Sequence, residues 1–223
     1  PTLKHYVEVL LDSPEFFVMF WNSVKITAGA LAGGLLVGMP AAWGFAKFDF
    51  PGKNILFTLY IALMMMPFQV MLLGSYLVLD KIGLLDSLLG IVFPAVFSTF
   101  PIFIMYRFFR GIPENVMEAA RMDGAGEFQI FLRIGIPLGS PGILSALVFS
   151  FLDCFSMLEQ PMTFLKTKSL WTVVTFFCRR SRAGTQDFHS VHSLVTILPR
   201  CLFFWQAQES YLEQGIAMAG AKE

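Results

Sequence analysis

Glu118-Ala119-Ala120-Arg121-Met122-Asp123-Gly124 and, after nine residues, Ile134-Gly135-Ile136-Pro137 lie between two apolar stretches long enough to cross a membrane. A connecting loop carries no need for such order. Ile112 to Met122 reads as a short helix, with Pro113 suited to the first helical position and Glu114 placed where the helix dipole favours an anion. Asp123-Gly124 stops it, because glycine adopts a left-handed cap without steric penalty. Phe128, Phe131 and Leu132 then repeat at helical spacing, and Pro137 is expected to end that second helix before the next span. Val116, Met117, Ala119 and Ala120 have no evident core of their own. Two small alanines would let another surface approach the backbone closely. The segment reads either as a docking element for a partner or as a helix lying on lipid.

Composition sets the environment of this loop. Hydrophobic residues make up 56% of the 223, and only 14% are charged, against about 25% in an ordinary soluble domain. The mean hydropathy is +0.65. Such a chain is suited to lipid. Its net charge of zero gives no footprint for nucleic acid. Cys154, Cys178 and Cys201 are widely spaced and form no metal-binding or disulfide pattern.

A hydrocarbon core needs about 20 apolar residues. Five stretches meet that length: Ile26–Ala46 (extended upstream by Phe16–Trp21), Asn54–Leu79, Ser87–Tyr106, Ile134–Leu152 and Ser190–Gln208. The expected fold is an all-α polytopic transmembrane bundle, a single domain over residues 1–223. Leu170–Cys178 is too short to span and reads as re-entrant or interfacial. Pro40, Pro67, Pro94, Pro101 and Pro199 fall inside spans, where neighbouring helices or water can satisfy the freed carbonyls. Glycines pair at Gly29/Gly33 and Gly34/Gly38, the spacing of close helix contact.

Basic residues divide evenly between the two sides. Lys47, Lys53, Arg107 and Arg110, which hug the span ends, place the 107–137 loop in the cytoplasm. Asp153, Glu159 and Arg200 are ionisable groups at membrane depth. They read either as contacts for a hydroxyl-rich or anionic solute in passage, or as an inter-helix pairing or snorkelling arginine. His189 and His192, beside Ser190 and Ser193, lack an acid at set spacing. No G-x-x-x-x-G-K-[ST] phosphate loop, H-E-x-x-H or G-x-S-x-G occurs.

The spacing Glu-Ala-Ala, three residues, Gly, nine residues, Ile, one residue, Leu, Pro resembles the signature of permease subunits of ABC importers. Here it runs Glu118-Ala119-Ala120, Gly124, Ile134 and Pro137, with Ile136 in place of Leu. Phe20-Trp21-Asn22-Ser23-Val24, Met122-Asp123-Gly124-Ala125, Tyr211–Ile216 and Ala219–Lys222 resemble the carbohydrate branch, similar to the smaller maltose-type permease. The likeness covers essentially the whole chain.

That resemblance implies a type I importer fold, with one further span upstream of an outward-lying Pro1. It implies a coupling segment over residues 111–137 in which Glu118, Ala119, Ala120, Asp123 and Gly124 engage a cytoplasmic ATPase. The implied partners are a second permease, an ATPase subunit dimer, an external solute-binding protein and the bilayer. ATP would be bound by the ATPase, and this chain would carry no cofactor and perform no catalysis. Two departures fall where solute would pass: Ser150–Gln160 lacks a Trp-Asn pair common in relatives, and Arg200 replaces an apolar residue. Permeases for an amino acid or a phosphorylated polyol stay open as alternatives, as does a self-sufficient secondary carrier. The carrier should show inverted repeats or several intramembrane acids.

Overall fold

The computed structural model describes residues 14–182, 196–206 and 208, and within them every regular element is a helix. Helix α1 runs unbroken from Pro14 to Lys47, through Pro40. Helices α2 (Lys53–Met64) and α3 (Phe68–Lys81) follow, then α4 (Leu89–Val96), α5 (Thr99–Arg110) and α6 (Glu114–Met122). Helix α7 runs from Glu127 to Ser156, α8 from Glu159 to Phe164 and α9 from Val173 to Arg182. A last helix, α10, covers residues 196–206.

Three helical stretches among the described residues are long and apolar enough to cross a membrane: Glu15–Lys47, Leu89–Arg110 and Glu127–Ser156. The expected span Asn54–Leu79 is instead two helices, α2 and α3, broken at residues 65–67. Pro67 explains the break, since it cannot donate to the preceding turn and biases Met66 away from helical geometry. If α2 and α3 count as one broken span, the spans number up to four. The fifth expected span, Ser190–Gln208, lies partly outside the described residues, as do His189, His192 and the 211–222 motifs.

The chain divides into two compact units. Of the described residues, one comprises 14–31, 67–96, 151–182 and 196–204. In it, Phe16 and Met19 of α1 pack with Val173, Phe176 and Phe177 of α9. A second cluster joins Ile26, Leu79, Ile91, Phe164 and Leu165. Asn22 donates from Nδ2 to the Ser169 carbonyl at 2.7 Å, and Ser23 Oγ accepts the Val173 N–H at 3.0 Å. These bonds pin the short apolar segment against α1. Leu170–Cys178 is therefore packed within protein through its buried face, where an interfacial placement was one expectation. Gly29 lies close under Val92, consistent with its small-residue role.

The other unit comprises, of the described residues, Ala32–Met66, Phe97–Ser150 and the end of α10 from Trp205. Its core holds Trp43, Ile102, Met105, Phe109, Met117, Ile130, Phe131 and Ile143. Gly38 lets Met105 and Ile102 approach α1 to contact distance. Gly139 and Gly142 on α7 do the same for Phe109 and Phe108.

Candidate functional site

The loop between α5 and α7 is folded against this second core. Helix α6 begins at Glu114, one residue later than its sequence suggested, with Pro113 as the extended residue before it. It ends in a full Schellman motif: the Ala125 N–H reaches the Ala120 carbonyl and the Gly124 N–H reaches that of Arg121, each at 3.0 Å. Gly124 takes φ 82°, the left-handed value a Cβ resists. Gln129 Oε1 then accepts the Gly126 N–H and opens α7.

The faces of α6 differ sharply. Met117 is fully buried in the core with Phe109, Ile130 and Phe131. For Met117 the expectation of no core is thus corrected, the core being supplied by α1, α5 and α7, while Val116 and Ala119 are exposed. Ala120 also turns inward, packing with Ala125 against the same cluster. Its small size serves the Schellman closure, where C3 and C″ characteristically touch. Glu118, Ala119 and Asp123 stay exposed, as do Gly124 and Met122. The outward face available to another protein is therefore Glu118-Ala119 and the Asp123-Gly124 turn.

Charge fixes both ends of α6. The Arg121 guanidinium bonds Glu127 at 2.7 Å and Glu114 at 3.1 Å, bridging the Gly124 turn. Those bonds hold its pKa well above the usual arginine range. At α6's start, Lys47 Nζ donates to the Ile112 carbonyl at 2.6 Å and lies 3.8 Å from Glu114. In sequence Lys47 reads only as a basic charge at a span end and Arg121 only as one more loop cation; the partners of neither are visible there.

Beyond the turn, α7 does not stop at Pro137. It continues from Glu127 through a π-helical turn, Phe131–Gly135, into the span Ile136–Ser156. Pro137 falls in the first α turn after that bulge, where a missing N–H is tolerated. Ile134 packs against the core, and the Trp43 ring lies over Gly135. Phe131 is buried as the spacing suggested, whereas Phe128 and Leu132 are exposed. The loop and the span behind it form one continuous helix.

The match to known proteins follows this segment. Residues 34–157 fit the family model for the binding-protein-dependent transport system inner membrane component. This chain belongs to that family. It is a multi-pass permease subunit of the inner membrane. It is 29% identical over 223 residues to the arabinooligosaccharides transport system permease protein AraQ of Bacillus subtilis, covering 99% of this chain and 79% of that protein. The sn-glycerol-3-phosphate transport system permease protein UgpE of Yersinia enterocolitica is 29% identical, covering 73% of this chain and 58% of that one. A bacterial ABC transporter involved in import of the acidic polysaccharide alginate superimposes with a TM-score of 0.79 at 20% identity, covering 92% of this chain and 78% of that one. The permease therefore has the importer fold.

The expected pathway residues lie on three helices, α7, α8 and α10. Asp153 on α7 and Glu159 at the start of α8 are exposed, and Arg200 on α10 is half-buried. Glu159 accepts a long bond from Gln69 Nε2 at 3.5 Å. No ion pair joins Arg200 to either acid among the described residues.

Proposed function

We propose that this permease forms half of the translocation pathway of an ATP-driven sugar importer and is driven through α6. The observation that carries this reading is the two-faced coupling helix: Met117 is locked into the permease core while Glu118 and Ala119 are left free on its outer side. A helix built this way transmits a push without being absorbed by local flexing. Docking of Glu118, Ala119 and the Asp123-Gly124 turn on a cytoplasmic ATPase would convert closure of an ATPase dimer into movement of α5 and α7. Rigid movement between inward- and outward-open states needs such a handle. Ala120 supports docking indirectly, by closing the turn.

Sugar is favoured because AraQ is similar along nearly the whole chain. ATP would be bound by the ATPase; this chain contributes no cofactor site and no catalytic group. A second permease and an external solute-binding protein complete the assembly. Asp153, Glu159 and Arg200 are proposed as pathway contacts for a hydroxyl-rich solute. The test is purification of the tagged permease from its native host, followed by reconstitution into liposomes. Co-purification of an ATPase subunit, with ATP-dependent uptake of a labelled arabino-oligosaccharide, is the expected result. Uptake of labelled glycerol phosphate in its place would overturn the sugar assignment. Uptake without any ATPase subunit would overturn the importer reading.

A further inference from the structure

Helix α1 ends at Lys47, a half-buried residue whose side chain is only 6% exposed. An ammonium on a side chain so largely covered is retained only where it is bonded. Its bond runs to the Ile112 carbonyl, 65 residues away, at 2.6 Å. Ile112 is itself a core residue and ends the turn from which α6 starts. The nearby Glu114 carboxylate is half exposed at 3.8 Å, so it contributes a weak, screened attraction. The charge-assisted bond to the carbonyl is the stronger contact.

Helices α5 and α7 are joined to α6 through the chain. Helix α1 is not. Apart from Lys47, α1 meets this region through apolar packing around Trp43, whose ring is seated against Phe109, Phe131 and Gly135 of α5 and α7; Lys47 adds a charge-assisted hydrogen bond to the chain at the start of α6. A short hydrogen bond fixes direction as well as distance. We infer that Lys47 is a positioning residue that locks the Ala32–Lys47 part of α1 to the coupling helix, so that a displacement applied to α6 moves that part with it. This rests on the reading of α6 as the ATPase-docking helix.

The test uses the complete transporter purified with its ATPase subunit, native cysteines replaced, and spin labels at Leu36 on α1 and Met122 on α6, both strongly exposed. Distances are measured by pulsed electron spin resonance with and without a non-hydrolysable ATP analogue. In the Lys47 protein the distance stays constant on nucleotide binding. Lys47→Met, which fills the same space without a donor, makes it change by about 2 Å or more, the scale of helix shifts in switching proteins. Lys47→Arg restores the constant distance. A Lys47→Met complex whose distance ignores nucleotide overturns the inference, and so does a nucleotide-dependent distance in the Lys47 protein. Loss of the ATPase subunit from Lys47→Met also overturns it, because Met117 alone should keep the docking face in place. Failure of the Lys47 protein itself to retain an ATPase subunit refutes the docking reading instead.

Discussion

A Cβ at position 135 would sit 2.7 Å from the Trp43 ring, inside any tolerable contact, so Gly135 and Trp43 are a matched pair. The ring also meets Phe109 edge-on at 5.4 Å between centroids. It has nowhere to retreat. Gly135→Ala should therefore destabilise the permease by about 1–3 kcal/mol, the range for overpacking. Thermal unfolding in detergent measures this. Trp43→Ala alone should also destabilise, by leaving a cavity, and the double variant should recover part of the sum because the two sites are coupled. Strict additivity would show that the contact is not the constraint.

Gly124 differs from Gly135 in kind. Nothing lies within 4 Å of a Cβ built there, yet its φ is 82°. The restriction is in the backbone alone. Gly124→Val should raise the energy of the turn by about 1–2 kcal/mol and mis-aim α6 while the spans still insert. Gly124→Asn, which tolerates the left-handed region, should retain most uptake at matched expression. Equal uptake by the valine variant would remove the turn from the mechanism.

These two glycines show what a sequence can and cannot disclose. Gly124 is legible because a helix stop followed by another helix calls for a left-handed residue, and that requirement is local. Gly135 is not, since the ring it accommodates comes from a distant helix. The same holds for Met117 and Lys47, whose partners Phe109, Phe131 and Ile112 become neighbours only once α1, α5 and α7 pack. The all-α membrane class was legible from composition and span length. The break at 65–67 was not, because an uncharged run containing Pro67 reads alike for a kinked span and for two helices. Pro137 misled for a related reason: a π-helical turn absorbs it, and no residue pattern announces that turn.

In the other unit, Asp86 predicts a pH dependence. Its carboxylate accepts the N–H groups of Lys166 and Thr167, each at 2.8 Å, and the Thr167 hydroxyl at 2.5 Å. The Thr167 hydroxyl, then the amides, hold its pKa below the ordinary carboxylate value. The folded pKa is thus lower than the unfolded one. The clamp's contribution is full above the unfolded value, about 4, and is lost as pH falls through the lowered folded value. Protection of the Lys166 and Thr167 amides, taken relative to their intrinsic exchange rate at each pH, should hold through pH 4 and fall only below it. Asp86→Asn keeps the left-handed backbone of this residue, at φ 55°, while removing the charge. It should lower the protection of both amides at neutral pH and make that protection nearly independent of acid. Unchanged exchange would show that the clamp holds this loop through something other than the carboxylate.

The two faces of α6 give a separable pair of outcomes. Met117 is fully buried among aromatic rings, so Met117→Ala should lower stability by about 2–5 kcal/mol, the range for large-to-small changes in a core. Ala119 is exposed two residues away. Ala119→Leu should leave thermal stability within about 0.5 kcal/mol, as surface changes do. On the proposed docking face, however, the added side chain would hold an ATPase away from the helix backbone. Glu118→Lys should act in the same direction by reversing charge on that face. Both variants are therefore expected to insert, fold and melt normally while losing the ATPase subunit on purification and losing ATP-dependent uptake. If Ala119→Leu kept the ATPase subunit and full uptake, docking would have to be assigned to another surface, and the buried face of α6 would have only a folding role.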